Sequence, residues 1–271
     1  MHKYLVYVEL DESGNPDMSS LEGLLKKSEG KTLVSLMHVN NEIGNKIDID
    51  AICALCQDNN AFFHSDTVQS IGHYSWDVQT TPIDFMTAAA HKFHGPKGVG
   101  FAYVRKNTGL CPLIFGGSQE RGLRAGTEPF HNIVGLEAAF MEAYDNIEEE
   151  QAFVKDLKQY FLEQVREHIP DATFNGACAD MDQSTYTIVN VCLPYNEEQA
   201  LMLLFHLDLK GIACSKGSAC QSGSSNGSHV LNAILSDDDL KKPSLRFSFS
   251  IYNTKEEIDY VVGVLKEFAV A

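Results

Sequence analysis

The sequence is poor in basic residues and has no long apolar run. Its 21 lysines and arginines face 37 aspartates and glutamates, so the formal net charge is −16. Phosphates are held by clustered Lys and Arg, so this balance argues against nucleic acid and anionic membranes as partners, while a few local cations can still hold a small anion. No apolar run approaches the roughly 20 residues of a membrane-spanning helix. The first residues, MHKYLVYVELDESG, turn charged before a signal-peptide core forms, so we expect a cytoplasmic protein.

The sequence also lacks the cysteine pattern of a disulfide framework. Its seven cysteines are scattered, odd in number and mostly inside apolar segments, which favours reduced, buried thiols. Cys53 and Cys56 form a C-x-x-C pair, a spacing that also serves redox chemistry and metal binding. Because no second Cys or His pair follows at ligand spacing, we favour two core thiols one helical turn apart and expect no metal site.

Internal repeats and low-complexity segments are absent as well, and the apolar pattern predicts a globular α/β protein. With 271 residues, 44% of them hydrophobic, the chain can build a core in one large or two modest domains. Strand patterns and helical patterns alternate in the first part, which is typical of a largely parallel sheet. The predicted strands there cover residues 3–10, 32–39, 61–65, 83–88 and 99–104, and the predicted helices cover residues 19–27 and 47–57. Residues 32–39 are mostly apolar, so we expect that strand to be buried on both faces.

The pattern changes to α+β after Pro170. A long helical region over residues 131–168 precedes this change, and charges interrupt its apolar spacing at residues 144–150. The later predicted elements are strands over residues 186–193, 212–214 and 244–250, and helices over residues 197–206, 228–235 and 254–268. We expect Ser228 to cap the second of these helices, and Thr254 and Glu257 to form a capping box at the start of the third. We therefore predict a large domain over residues 1–145 and a small α+β domain over residues 146–271.

Polar residues follow several of the predicted strands, where ligands bind in parallel α/β sheets. Asn41, Asp66 and Lys92 all fall at such strand ends. Lys92 follows His91 and precedes a Gly/Pro-rich turn at residues 95–98, a setting with limited solvent access. A lysine in that setting serves as a Schiff-base nucleophile; the alternative is an ordinary surface-turn lysine.

Two Gly-rich loops carry further candidate groups. Residues 115–127 include Arg121 and Arg124 and suit either an anion site or a flexible surface loop. Residues 215–225, SKGSACQSGSS, place Cys220 among small and polar residues. An accessible cysteine near cations is typical of a reactive thiolate, and the alternative is a loop cysteine without function.

Six sequence blocks, in order and at matching spacing, resemble the cysteine desulfurases. These are the fold-type-I pyridoxal 5′-phosphate (PLP) enzymes within aminotransferase class V. The resemblance covers essentially all 271 residues. The blocks are HVNNEIG (38–44), HSDTVQ (64–69), AHKFHGPKG (90–98), GGSQERGLRAGT (116–127), CSKGSACQSG (214–223) and LRFSFSIYNTKEEID (245–259).

The resemblance implies a cofactor site in the first part of the chain. Lys92 matches the lysine that binds PLP covalently as a Schiff base, and Asp66 matches the acid paired with the pyridine nitrogen. Gln69 matches the residue that hydrogen-bonds the ring hydroxyl, and Asn41 matches a residue near that hydroxyl and the substrate carboxylate. His91 matches a phosphate ligand, and we also place it among the catalytic residues.

The remaining matches imply the substrate, the reaction and the partners. Arg246 matches the arginine that binds the substrate carboxylate, and Thr127 matches a phosphate ligand supplied by the neighbouring subunit, which implies a homodimer. Cys220 matches the catalytic cysteine. The implied reaction removes sulfur from L-cysteine, leaving L-alanine and a persulfide on Cys220. That sulfur then passes to an acceptor or scaffold protein in iron–sulfur cluster or thio-cofactor assembly.

The chain departs from the family pattern in two places. Ala89 stands where the family commonly has a serine phosphate ligand, and Thr87 offers a nearby hydroxyl. The chain also corresponds only to the C-terminal two thirds of the family, without the upstream phosphate-binding loop and the histidine that stacks on PLP. We therefore expect weaker PLP binding. The alternatives are a truncated, non-catalytic remnant or dimerising partner, and a class V enzyme such as a selenocysteine lyase or an aminotransferase, the last disfavoured by the Cys220 motif.

Overall fold

A computed structural model describes residues 4–216 and 227–270, which form two compact units. The mixed-sheet unit comprises Met18–His38 and Asp48–Ile147. The antiparallel-sheet unit comprises Val39–Ile47, Glu148–Ala271 and Met1–Asp17, as far as these ranges are described. The predicted domain division near residue 145 stays a prediction. None of the helices within the described ranges combines the length and apolarity needed to cross a membrane.

The mixed-sheet unit is built on a four-stranded sheet in the order β1-β2-β3-β4. Its strands are β1 (Leu33–Met37), β2 (Phe62–Asp66), β3 (Phe85–Ala89) and β4 (Gly100–Val104). β1, β2 and β3 run parallel to one another, whereas β4 returns antiparallel to β3. The predicted mostly parallel α/β sheet is therefore confirmed.

Three helices belong to this unit: α1 (Met18–Lys27), α2 (Ile49–Asp58) and α3 (Phe130–Asp145). α2 begins after Asp48, whose side chain accepts a hydrogen bond from the Ala51 amide at 3.0 Å, as N-cap residues do. Cys53 and Cys56 are buried on its inner face, and burial raises the pKa of Cys53 to about 12 and of Cys56 to about 11. Both cysteines are therefore neutral thiols that fill the core, as predicted.

Within its described residues, the antiparallel-sheet unit contains three strands, β5 (Thr173–Phe174), β6 (Ile188–Cys192) and β7 (Ser244–Ser248), in the order β5-β6-β7. All five residues of the central strand β6 are buried. The helices of this unit are α4 (Ile147–His168), α5 (Glu197–Leu209), α6 (His229–Ile234) and α7 (Lys255–Val270). Asn146, between α3 and α4, marks the break predicted in the long helical region.

Capping residues in the local sequence mark where the last two helices begin. Thr254 accepts a hydrogen bond from the Glu257 amide at 3.2 Å, and the Glu257 carboxylate accepts one from the Thr254 amide at 3.1 Å. This is the predicted capping box, and it starts α7. Ser228 caps α6 by accepting a hydrogen bond from the Leu231 amide at 3.0 Å, which confirms that prediction too.

Three details of the predicted strands were wrong. Residues 4–10 form no strand: Tyr4 is 86% exposed, and only Leu10 makes an isolated bridge, to Pro16. Residues 212–214 also form none, and pairing is limited to a bridge between Ser215 and Arg246. β1, predicted to be buried on both faces, has Leu33 57% exposed because β1 forms one end of the sheet order. An apolar run becomes a buried strand only where neighbouring strands pair with it and cover it.

A fully buried lysine lies in the antiparallel-sheet unit. Lys158 of α4 is 0% exposed, and its ammonium donates to the Ser184 hydroxyl at 2.8 Å and to the Thr185 carbonyl at 2.6 Å. Burial lowers the pKa of Lys158 from 10.5 to about 8, although nearby Cys178 and Asp180 oppose the shift. The unfolded chain therefore binds this proton more tightly than the folded chain does between about pH 8 and 10.5.

Replacing Lys158 with Met should remove a pH-dependent cost of folding. Between pH 7 and pH 9.5 the free energy of unfolding of the wild type should rise by about 2 kcal/mol more than that of Lys158→Met. The reason is that Lys158 loses its proton in the folded wild type over this range, so no charge is then buried. Urea denaturation of both proteins at the two pH values measures this difference. Lys155→Met, at an exposed position of the same helix, is the control and should leave the slope unchanged. Equal pH slopes for wild type and Lys158→Met would contradict the assignment.

Candidate active site

The site lysine lies on a short turn at the carboxyl end of β3. A 3₁₀ turn over Ala90–Phe93, here called the lysine turn, carries His91 and Lys92. Phe93 is buried, Lys92 is half-buried and His91 is exposed. The next residue, His94, is left-handed with φ 65°, and its amide donates to the Ala90 carbonyl. The chain thus leaves β3 through a tight turn that places Lys92 three residues beyond the end of that strand.

Asp66 occupies the carboxyl end of β2, next to the lysine turn in sheet order. In the parallel ladder Asp66 lies between Met37 of β1 and Thr87 of β3. Its Oδ1 accepts a hydrogen bond from the Val68 amide at 3.0 Å, and its backbone carbonyl accepts one from the His38 amide at 3.0 Å. Because the carboxyl ends of parallel strands share one edge, Asp66 and Lys92 lie at the same edge of the sheet, as predicted from the chain order.

At this edge of the sheet, a carboxylate and a hydroxyl group lie on the same face. Asp66 and Thr87 are register partners in neighbouring parallel strands, so their side chains share a face. Ala89 lies two residues beyond Thr87 and faces the same way. The Thr87 hydroxyl is therefore on the face where the family pattern has a serine at position 89. Gln69, three residues after Asp66, is buried, with 9% of its surface exposed.

The Gly-rich loop at residues 115–127 stays largely irregular. It contains one 3₁₀ turn, Glu120–Gly122, in which Arg121 is left-handed with φ 57°. Arg124 donates to the Ala125 carbonyl at 2.8 Å, and Thr127 is exposed. Anion binding by this loop and the role of Thr127 remain predictions.

The antiparallel-sheet unit brings two predicted site residues into contact. Arg246 of β7 is half-buried, and its Nη1 donates to the backbone carbonyl of Asn41 at 2.8 Å. A pair of backbone hydrogen bonds ties Arg246 to Ser215: the Arg246 amide donates at 2.7 Å, and the Ser215 amide donates back at 3.2 Å. The guanidinium is therefore held at a fixed place beside Asn41, although the two residues are 205 positions apart.

Glu42 holds the segment that carries Asn41. Its side chain is 0% exposed, its Oε2 accepts a hydrogen bond from the Ser228 hydroxyl, and its backbone carbonyl accepts one from the Asn190 side chain at 3.0 Å. His229 lies 3.9 Å from the other carboxylate oxygen. Sequence reasoning placed Glu42 only within a matching block and gave it no role, because nothing local links it to residues 186 positions away.

The structure also reveals a histidine contact that the sequence did not indicate. The Nε2 atom of His73 lies 3.1 Å from the backbone carbonyl of Lys92. Burial lowers the pKa of His73, and the hydrogen bond to Lys92 opposes that shift in part. The one sequence signal was its position in the segment that leaves β2, seven residues after Asp66. The predicted catalytic residue Cys220 lies outside the described residues.

The groups at the edge of the mixed sheet fit PLP in their chemistry. The Asp66 carboxylate suits a protonated pyridine nitrogen, and the Lys92 amine suits an aldehyde. The amide of Gln69 suits the ring hydroxyl, and the Thr87 hydroxyl and the His91 imidazole suit a phosphate. These groups share one edge of the sheet, so together they fit the cofactor. The serine that the family pattern places two residues before His91 is not among them.

Comparison with known proteins agrees with this chemistry. Residues 3–261 match the family described as aminotransferase class V. The cysteine desulfurase IscS of Dictyoglomus turgidum (strain DSM 6724 / Z-1310) is 38% identical over 262 residues, which are 97% of this chain and 65% of that protein. The solved NifS-like protein of Rickettsia africae ESF-5 has a TM-score of 0.86 at 28% identity, covering 97% of this chain and 69% of that chain. SspA, solved in complex with cysteine, has a TM-score of 0.72 at 30% identity, covering 92% of this chain and 67% of that chain.

These likenesses confirm the resemblance and the PLP fold-type-I class expected from the sequence. The chain spans 65% of the length of the IscS relative from Dictyoglomus turgidum. The family match itself extends over nearly the whole chain. The chain therefore belongs to the aminotransferase class V family.

Proposed function

We propose that the protein is a PLP-dependent cysteine desulfurase that transfers sulfur from L-cysteine to Cys220. The observation that carries the proposal is the placement of Asp66 and Lys92 at one edge of a parallel sheet. A relative named cysteine desulfurase IscS is 38% identical to the chain, and the related SspA was solved in complex with cysteine, which supports this choice of substrate.

The mixed-sheet unit supplies the cofactor residues. PLP, when bound, supplies an electron sink for the charge left on the substrate Cα. Lys92 holds the cofactor covalently and then moves the proton at the substrate Cα. Asp66 keeps the pyridine nitrogen protonated through its negative charge, and Gln69 donates to the ring hydroxyl. His91 and Thr87 bind the phosphate.

The antiparallel-sheet unit supplies the substrate residues. Arg246 offers a guanidinium fork to the substrate carboxylate, and its bond to the Asn41 carbonyl fixes the direction of that fork. The thiolate of Cys220 attacks the substrate sulfur. The bond between that sulfur and the substrate Cβ breaks while a bond to Cys220 Sγ forms. Protonation of Cβ then yields alanine, and the persulfide stays on the protein.

We propose a homodimer in the cytoplasm that passes this sulfur to an acceptor or scaffold protein. Thr127, exposed at the end of the Gly-rich loop, is then a phosphate ligand for the neighbouring copy. The cytoplasmic assignment rests on the six cysteines within the described residues, all of which are free thiols. Reduced thiols are typical of proteins in a reducing compartment.

A second candidate function is that of a non-catalytic, dimerising partner. Ala89 favours this alternative, because its methyl group replaces a hydroxyl that the family pattern offers to the phosphate. The deciding experiment adds PLP and then L-cysteine to the purified chain. The desulfurase proposal expects visible absorbance of protein-bound PLP, followed by equal amounts of sulfide and alanine in the presence of a reductant. Neither colour nor sulfide would favour the non-catalytic partner. A parallel reaction with L-selenocysteine distinguishes a selenocysteine lyase.

Lys92→Ala should abolish the visible absorbance of bound PLP and sulfide release, because the amine that binds the aldehyde is gone. After borohydride reduction of the wild type, mass spectrometry should locate the cofactor on the peptide that contains Lys92. Lys97→Ala, an exposed lysine five residues further on, is the matched control and should keep both signals. Cofactor mass on another lysine would overturn the assignment.

Cys220→Ser should keep the absorbance of bound PLP and lose sulfide release, because the hydroxyl is a poor nucleophile toward the substrate sulfur. Sulfide and alanine assays on the same preparation check this outcome. Cys111→Ser replaces an exposed cysteine and should leave sulfide release intact. Normal sulfide release from Cys220→Ser removes Cys220 from the mechanism.

Arg246→Lys should raise the KM for L-cysteine about 10- to 100-fold, the effect of losing a charge-assisted hydrogen bond, with a smaller change in kcat. The lysine keeps the charge but cannot form the two parallel bonds. Initial rates over a range of L-cysteine concentrations measure both constants. Arg166→Lys, at an exposed position of α4, serves as the control. An unchanged KM in Arg246→Lys argues against carboxylate binding by Arg246.

A further inference from the structure

We infer that His73 is a positioning residue for Lys92: its imidazole fixes the lysine turn by donating a hydrogen bond to the Lys92 backbone carbonyl. The inference deepens the proposed function, because it names a residue that sets where the proposed Schiff-base amine stands. His73 belongs to none of the six blocks that carry the family resemblance. It is assigned here from its contacts in the mixed-sheet unit alone.

The chemistry of the contact fixes the tautomer of His73. A backbone carbonyl only accepts hydrogen bonds, so the ring nitrogen 3.1 Å away, Nε2, carries the proton. Burial lowers the pKa of His73 below its ordinary value, and the nearby charges of His94 and Lys92 lower it further. The ring is therefore neutral at physiological pH. It donates through Nε2 without placing a second positive charge beside the Lys92 amine.

The residues on either side of His73 make independent contacts with the same turn and with α3. Gly72 has φ +81°, and a Cβ added there would lie 2.5 Å from the Cβ of Phe93, so the Phe93 side chain packs too closely against Gly72 for any side chain at position 72. The Gly72 amide donates to the Tyr144 hydroxyl at 3.3 Å, and that hydroxyl donates to the Tyr74 carbonyl at 3.1 Å. Residues 72–74, here called the brace, are thus held against both the lysine turn and α3.

The lysine turn needs such support because its own backbone bonding is limited. A 3₁₀ turn of four residues has few internal hydrogen bonds of poor geometry. The turn ends at left-handed His94, a conformation that costs energy for a residue with a side chain. The brace contributes one bond, from His73 to the Lys92 carbonyl, and one close contact, between Gly72 and Phe93.

Fixing the Lys92 backbone matters because the amine acts at the end of a long side chain. A displacement of about 1 Å in a reacting group can cost about 100-fold in rate. The His73 bond is made to the very residue that carries the amine, so its loss moves the base of that side chain. His73 itself touches no reacting atom, and its effect passes through Lys92.

The test compares His73→Leu, which removes the donor, with His73→Gln, whose amide reaches a similar distance and donates without titrating. His64→Leu is the matched control. Burial also lowers the pKa of His64, but the Nδ1 atom of its ring is hydrogen-bonded to the Ser35 hydroxyl of the outer strand β1, at 2.8 Å, and not to the lysine turn. Two measurements are made on each full chain: hydrogen exchange of the backbone amides of residues 90–95 without cofactor, and the rate at which PLP becomes fixed to Lys92 under borohydride.

His73→Leu should speed amide exchange in residues 90–95 about tenfold, the effect of losing roughly one hydrogen bond. It should also slow fixation at Lys92 by about 10- to 100-fold. In His73→Gln both the amide-exchange rate and the rate of PLP fixation should stay close to the wild-type values. His64→Leu should change neither rate. In active preparations kcat should fall in His73→Leu, while the KM for L-cysteine stays within about twofold.

Unchanged exchange and unchanged fixation in His73→Leu would overturn the inference. Equal losses in His64→Leu would also overturn it, because the effect would then be general destabilisation. So would a His73→Gln protein that melts at the wild-type temperature yet behaves like His73→Leu. If wild type fixes no PLP, the proposed function fails, while the exchange measurement still decides whether His73 holds the turn.

Discussion

The parallel ladder of β1, β2 and β3 is the constraint on which the mixed-sheet unit depends. Its register sets Met37, Asp66 and Thr87 side by side, so the carboxyl ends of the three strands lie along one edge of the sheet. The fourth strand runs antiparallel to β3, so the chain reverses between the two strands, and the reversal begins with the 3₁₀ turn after β3. That turn carries Lys92. A slip of one residue between β2 and β3 would turn Asp66 to the opposite face from Thr87, so the strand register decides which side chains of β2 and β3 share a face.

In the antiparallel-sheet unit, hydrogen bonds between distant segments hold the candidate site residues in place. Arg246 is fixed by the Asn41 carbonyl and by the bridge to Ser215, and Glu42 is held by Ser228 and Asn190. Each of these contacts joins segments far apart in the chain. A charged group with fixed direction loses little entropy when it binds a ligand, which is why such bonds suit a carboxylate site.

Sequence reasoning succeeded where the determinants are local and failed where they are not. The capping box at Thr254 and the buried face of α2 were predictable because their partners lie within one helical turn. Residues 4–10 carry a strand-like pattern but form none, since a strand also needs a paired neighbour that the local pattern cannot reveal. The contact of His73 with Lys92 spans 19 residues and depends on how the turn after β3 folds back. The predicted roles of the candidate site residues came from the family resemblance, because their chemistry is defined only by a ligand.

The bond between Glu42 and Ser228 has a consequence for the order of folding. Ser228 starts α6, which has only six residues and is too short to persist as an isolated helix. Its cap is anchored by a carboxylate 186 residues earlier in the chain. During synthesis the segment with Glu42 emerges long before Ser228 does, so its carboxylate stays hydrated until the last part of the chain arrives. The completion of α6 and the burial of Glu42 are therefore coupled, and both depend on a contact between segments far apart in the chain.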